Sequence, residues 1–170
     1  MDAADCVLHY VLDAQDALAW ERVSPELRKR NRLALAASFF AGLGLLKVLS
    51  GQLEAVPGLH SLPAAMILIL LPALMAWLFQ NNDRYRRANA RFGKPVVVKL
   101  DLWADRMVEH REDQRAPLAL GGRSLRVLSE TAEHVFLSFG REDVVIVPAR
   151  AFATPAAKQD FAAQWRAKIG

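Results

Sequence analysis

The chain has 170 residues, a mass of 18.9 kDa and a formal net charge of +4, so it holds one ordinary domain, or a small domain plus a further segment, and a large multidomain enzyme is excluded. Its 53% hydrophobic and 24% charged residues match a soluble average, but the apolar residues are bunched and charges are kept out of the bunches. Residues 81–95 carry five basic residues and one acidic, a surplus equal to that of the whole chain.

Residues 1–32 form a lead-in. Val7-Leu-His-Tyr-Val-Leu12 reads as a short strand, too short and too acidic in its surroundings to be the apolar part of a secretory signal. Asp13 is placed to cap a helix with Ala14, Ala17 and Leu18 on one face and Trp20 near a bilayer surface. Ser24-Pro25-Glu26 then offers a cap, a proline at the first helical position and a first-turn carboxylate, which starts a second helix.

Residues 33–80 read as a transmembrane helical hairpin with spans at 33–49 and 62–79. Lys47 is the one charge inside either span, and its place near the outer end fits snorkelling to the interface. Neither span has the polar stripe of a soluble helix. Ala34, Ser38 and Gly42 recur every four residues, a spacing that lets helices approach closely; Ala65, Ala73 and Ala76 are the matching small residues of the second span, and Pro72 is expected to kink it. The loop between them carries a Pro57-Gly58 turn signal.

Residues 81–94 are a basic juxtamembrane segment. Arg84, Arg86, Arg87, Arg91 and Lys94 are the expected contacts to the bilayer surface and its anionic lipid head groups. With Arg28, Lys29, Arg30 and Arg32 before the first span, they place both termini of a multi-pass membrane protein in the cytoplasm, with the loop outside.

Residues 95–170 change to short β-rich runs. Val96, Val98, Leu100 and Leu102 alternate with Lys99 and Asp101, and further strands are expected at 107–111, 116–120, 125–128, 135–139 and 144–147. Thr154-Pro155 starts a closing helix in which Ala157, Phe161, Trp165 and Ile169 share a face. The expected fold is a membrane α-helical hairpin plus a small α+β cytoplasmic domain, a β-sandwich or partly open barrel with a C-terminal helix. The lead-in is expected to dock on that domain, because its apolar strand would otherwise present an unpaired edge.

This layout resembles the YcxB-like family of bacterial membrane proteins. The resemblance rests on Tyr10-Val-Leu-Asp-Ala-Gln-Asp16, on the paired spans, and on Val145-Ile-Val-Pro148-Ala-Arg150-Ala-Phe152 followed by Phe161. It implies two membrane helices followed by a PH-like (pleckstrin-homology-like) domain. Where that family commonly has a tryptophan, this chain has Gly121-Gly122-Arg123.

Catalytic patterns are missing. His9, His60, His110 and His134 are scattered, Cys6 is the sole cysteine, and no catalytic, metal or cofactor-binding constellation stands out. The Glu112-Asp113 and Glu142-Asp143 pairs fit solvated turns. The expectation is therefore a non-enzymatic, cofactor-free module for binding or scaffolding, tethered to the bilayer, with its protein partner unidentified and homo-oligomerisation open. An oligomeric transport or channel component is the alternative. Nucleic acid is not an expected partner, since the basic stretch abuts the bilayer and residues 96–170 are nearly charge-balanced.

Overall fold

The computed structural model describes residues 4–53, 62–140 and 143–169. The chain divides into two compact units, Met1–Val23 with Ala88–Gly170, and Ser24–Arg87.

The first unit is α+β. It begins with β1 (Cys6–Leu12) and α1 (Ala14–Val23). The helix starts where Asp13 can cap it: the Asp13 carboxylate accepts from the amides of Gln15 and Asp16 at 2.8 and 3.1 Å, while the Asp16 carboxylate accepts from the Asp13 amide at 3.0 Å. These reciprocal bonds satisfy orphan donors of the first turn. After residue 95 come β2 (Val96–Leu102), β3 (Arg106–Arg111), β4 (Leu118–Gly121), β5 (Val127–Glu130), β6 (His134–Ser138), β7 (Val144–Pro148) and α4 (Pro155–Arg166).

Two antiparallel sheets result, one ordered β1-β2-β3-β4 and the other β5-β6-β7. The lead-in strand pairs along its full length with β2, Tyr10 opposite Val98 and Leu12 opposite Val96. The alternation expected of β2 holds, with Val96, Val98, Leu100 and Leu102 buried and Val97 and Lys99 exposed. Asp101, on the other face, is shielded by Lys99 and His110 at 3.0 Å each. The core joins both sheets and both flanking helices through Leu12, Leu18, Leu100, Met107, Phe136, Ile146 and Trp165.

Most strands start within a residue of expectation, and two start two residues later. β4 starts at Leu118 because Pro117, lacking an N–H, cannot donate to a ladder. β5 starts two residues late because Leu125 is buried at the end of a 3-10 turn over Gly122–Ser124. Gly122 is tightly enclosed there: a Cβ would stand 3.0 Å from the Asp105 carbonyl oxygen and 3.6 Å from the Trp165 ring. At the Gly121-Gly122-Arg123 stretch, α4 thus supplies the aromatic packing.

The closing helix buries Phe161 and Trp165 as expected and departs at one position. Thr154 caps it by accepting from the Ala157 amide at 3.2 Å, but Ala157 is exposed and Lys158 takes the buried place beside Phe161, Ala162 and Trp165. The Lys158 ammonium donates to the carbonyl oxygens of Thr131 and Ala132 in the β5–β6 turn, which satisfies a buried charge.

The second unit consists of α2 (Pro25–Leu53) and most of α3 (Leu62–Arg91). α2 begins at the expected proline. Both helices overrun the spans read from hydropathy, and residues 81–91 continue α3 instead of forming a separate segment. Gln80 donates to the Asn31 carbonyl oxygen at 3.3 Å. Among the described residues, one stretch is long and apolar enough to cross a membrane, the 24 residues Pro25–Val48, and little of it is buried. The second expected span lies within α3, and the side chains of residues 62–65 and 68–69 are outside the described set. The turn signal at Pro57-Gly58, His60 and Glu142 are also outside it.

Candidate functional site

Three places in the α+β unit stand out, two where polar side chains converge and one apolar cleft. One is built around Asp16 on α1. Its carboxylate accepts from His134 Nε2 at 2.7 Å and from both terminal nitrogens of Arg150; Arg150 also donates to the Val11 carbonyl oxygen. Burial by itself would raise the Asp16 pKa, but the bonds from His134 and then Arg150, with the Asp13 amide, outweigh it and hold it at about 2. His134 is buried and stacks on Phe136 at 5.3 Å. With every acceptor engaged, this cluster fixes the lead-in helix to β6 and the segment after β7.

The second is a recess of about 480 Å³ in which Arg91, Glu109, Arg111, Asp113 and Asp143 meet. Glu109 lies on the inward row of β3, two residues from buried Met107. Burial pushes its carboxyl up to about 7, against the pull of Arg111 and Arg91. Arg111 grips Asp113 in two parallel bonds, 3.1 and 2.9 Å, and lies 4.6 Å from the Phe92 ring centroid. Burial, and next the neighbouring Arg111 charge, lower the Arg91 pKa from its ordinary value. Two guanidinium groups and three carboxyls leave this recess close to self-neutralised, suited to holding its own walls and exchanging one proton on Glu109.

The third is a cleft of about 440 Å³ whose lining is mostly apolar, between the open end of β1 and α4. Cys6 is free, exposed and part of its wall.

The residues expected at the bilayer surface do not act as one group. Arg84, Arg86 and Arg87 lie on α3 in the second unit, Arg86 exposed and the other two half-buried. Lys94 is exposed after the helix ends, whereas Arg91 is drawn into the charged recess. Of the small residues expected at helix contacts, Gly42 is buried, Ser38 half-buried with its hydroxyl donating to the Ala34 carbonyl oxygen at 2.8 Å, and Ala34 exposed. Ala73 and Ala76 are half-buried, and Lys47 is exposed. Sequence reasoning missed Glu109 and Asp16 as members of clusters. A signal existed for Glu109, since a carboxylate interrupts the inward alternation Met107, Glu109, Arg111. Among the described residues, no group of three His, Cys, Asp or Glu side chains could hold a metal ion.

In comparisons with known proteins, the chain matches no family model, no curated protein and no solved structure.

Proposed function

We propose that this chain is an integral protein of the bacterial inner membrane whose two-helix hairpin tethers a small PH-like module for binding or scaffolding at the cytoplasmic face, with no catalytic role. The observation that carries it is where apolar surface is left exposed. Of the nineteen exposed large hydrophobic side chains among the described residues, fifteen lie at Leu33–Val48 on α2 or Met66–Phe79 on α3. Apolar surface of that extent is costly in water and favourable in lipid. The PH-like reading is supported by antiparallel sheets of four and three strands followed by a closing helix. In this reading Arg84, Arg86, Arg87 and Lys94 face anionic lipid head groups, and Arg91 contributes more to the recess than to the surface. Reporter fusions after Gly58 and at Gly170 should read outside and inside, and the chain should stay in membranes washed with alkaline carbonate. Release by carbonate would end the membrane reading, and an outside signal at Gly170 would end the cytoplasmic one.

A further inference from the structure

The inward row of β1 loses its cover toward one end. Leu12 and Tyr10 are buried, Leu8 is half-buried and Cys6 is exposed, although β1 remains paired with β2 throughout. The uncovered end opens into the 440 Å³ cleft, whose far wall is α4. That volume is in the range of small-molecule sites, which are mostly apolar with a few polar groups that orient the ligand.

Its chemistry has a sign. Aromatic rings of Trp103, Phe152, Phe161 and Trp165 line it, the ionisable acids are Asp5 and Asp160, and among the described lining residues none is basic, in a chain with 22 basic residues. Aromatic faces and carboxylates both attract cations. The protein's own cations already use two of these rings: Arg106 lies 4.9 Å from the Trp103 ring and Lys168 Nζ 3.7 Å from that of Trp165.

We propose that this cleft binds an organic ammonium ion carrying an apolar body, with the charge paired to Asp5 and Asp160 and the body packed against the half-buried Leu8 and Phe152. The cleft lies wholly within the α+β unit, so the inference stands whether or not α2 and α3 cross a bilayer.

Cys6 provides a reporter inside the wall, as the chain's sole cysteine. The test follows alkylation of Cys6 by iodoacetamide on the full chain in zwitterionic lipid nanodiscs, with 4-phenylbutylammonium, 4-phenyl-1-butanol or 4-phenylbutyrate added. Saturable protection by the ammonium is expected at a concentration roughly tenfold below that needed for the alcohol, the preference two exposed ion pairs supply. The carboxylate should protect least. Combining Asp5→Asn with Asp160→Asn should bring the ammonium to the level of the alcohol, and Ala157→Trp, which fills the cleft from an exposed position of α4, should remove protection by both. Unchanged thermal unfolding of each variant shows that the fold is intact. Equal protection by ammonium and alcohol in the parent chain, ammonium protection that survives Ala157→Trp, or no saturable protection at all would overturn the proposal.

Discussion

Arg150 reaches across 134 positions of sequence to hold Asp16, with Nη1 donating to Oδ1 at 3.1 Å and Nη2 to Oδ2, and from the same Nη2 it caps the Val11 carbonyl oxygen. The contact joins β1 and α1 to the 3-10 turn that follows β7. It gives one physical reason why residues on either side of two long apolar helices form a single compact unit.

Removing either partner should cost unequal amounts. Asp16→Ala removes the acceptor shared by His134, Arg150 and the Asp13 amide and should destabilise the unit by about 3 kcal/mol, whereas Arg150→Ala, from a side chain 53% exposed, leaves the buried Asp16 carboxylate to His134 and the Asp13 amide and should cost about 2 kcal/mol. Denaturant unfolding of the full chain in detergent, followed through near-UV circular dichroism, measures both. The double variant should cost less than the sum.

Acid should reveal the same cluster. The folded pKa of Asp16, about 2, lies below its ordinary 3.8, so its stabilisation is complete above pH 3.8 and is lost as pH falls toward 2, amounting to about 2 kcal/mol. Asp16→Asn should flatten the stability profile between pH 4 and 2 (roughly the window set by those two values). A profile as steep as that of the parent chain would show that other carboxylates control acid unfolding.

Glu109 works in the opposite sense. Its folded pKa, about 7, lies above its ordinary 4.5, so the folded state is favoured by the neutral acid: that stability is full below pH 4.5 and is lost as pH rises through 7. Glu109→Gln should therefore lose less stability than the parent chain between mildly acidic and mildly alkaline pH, by up to about 3 kcal/mol. Scanning fluorimetry across that range reads the difference as melting curves that diverge at the alkaline end.

The lead-in strand is structural. Leu12 is fully buried, and Leu12→Ala should cost about 2 to 4 kcal/mol through lost burial and the cavity left behind. In the intact chain, amide hydrogens of β1 that pair with β2 should exchange as slowly as those of β2–β3. Uniformly fast exchange over Val7–Leu12 would contradict the pairing.

Local pattern determined much of this protein. Alternating burial made β2 legible, Asp13 and Thr154 marked the starts of α1 and α4, Pro25 marked the start of α2, and the near absence of charge over Leu33–Val48 marked an apolar helix. Each of these depends on neighbours within a turn or two, where period and capping chemistry act directly. The expected docking of the lead-in was also readable, because an apolar strand without a partner is costly. Tertiary structure decided what no local period encodes. Lys158 displaced Ala157 from the buried face of α4 because the Thr131 and Ala132 carbonyl groups, in a distant turn, offer its ammonium acceptors. Arg91 left the basic surface series because Glu109, Arg111 and Asp113 of another element meet it in a recess. The cleft at Cys6 exists because the fold sets the end of β1 opposite α4, its two walls coming from opposite ends of the chain. In each case the deciding energy is that of desolvating a charge or leaving apolar surface uncovered, and it depends on which remote residues the fold brings within a few ångströms.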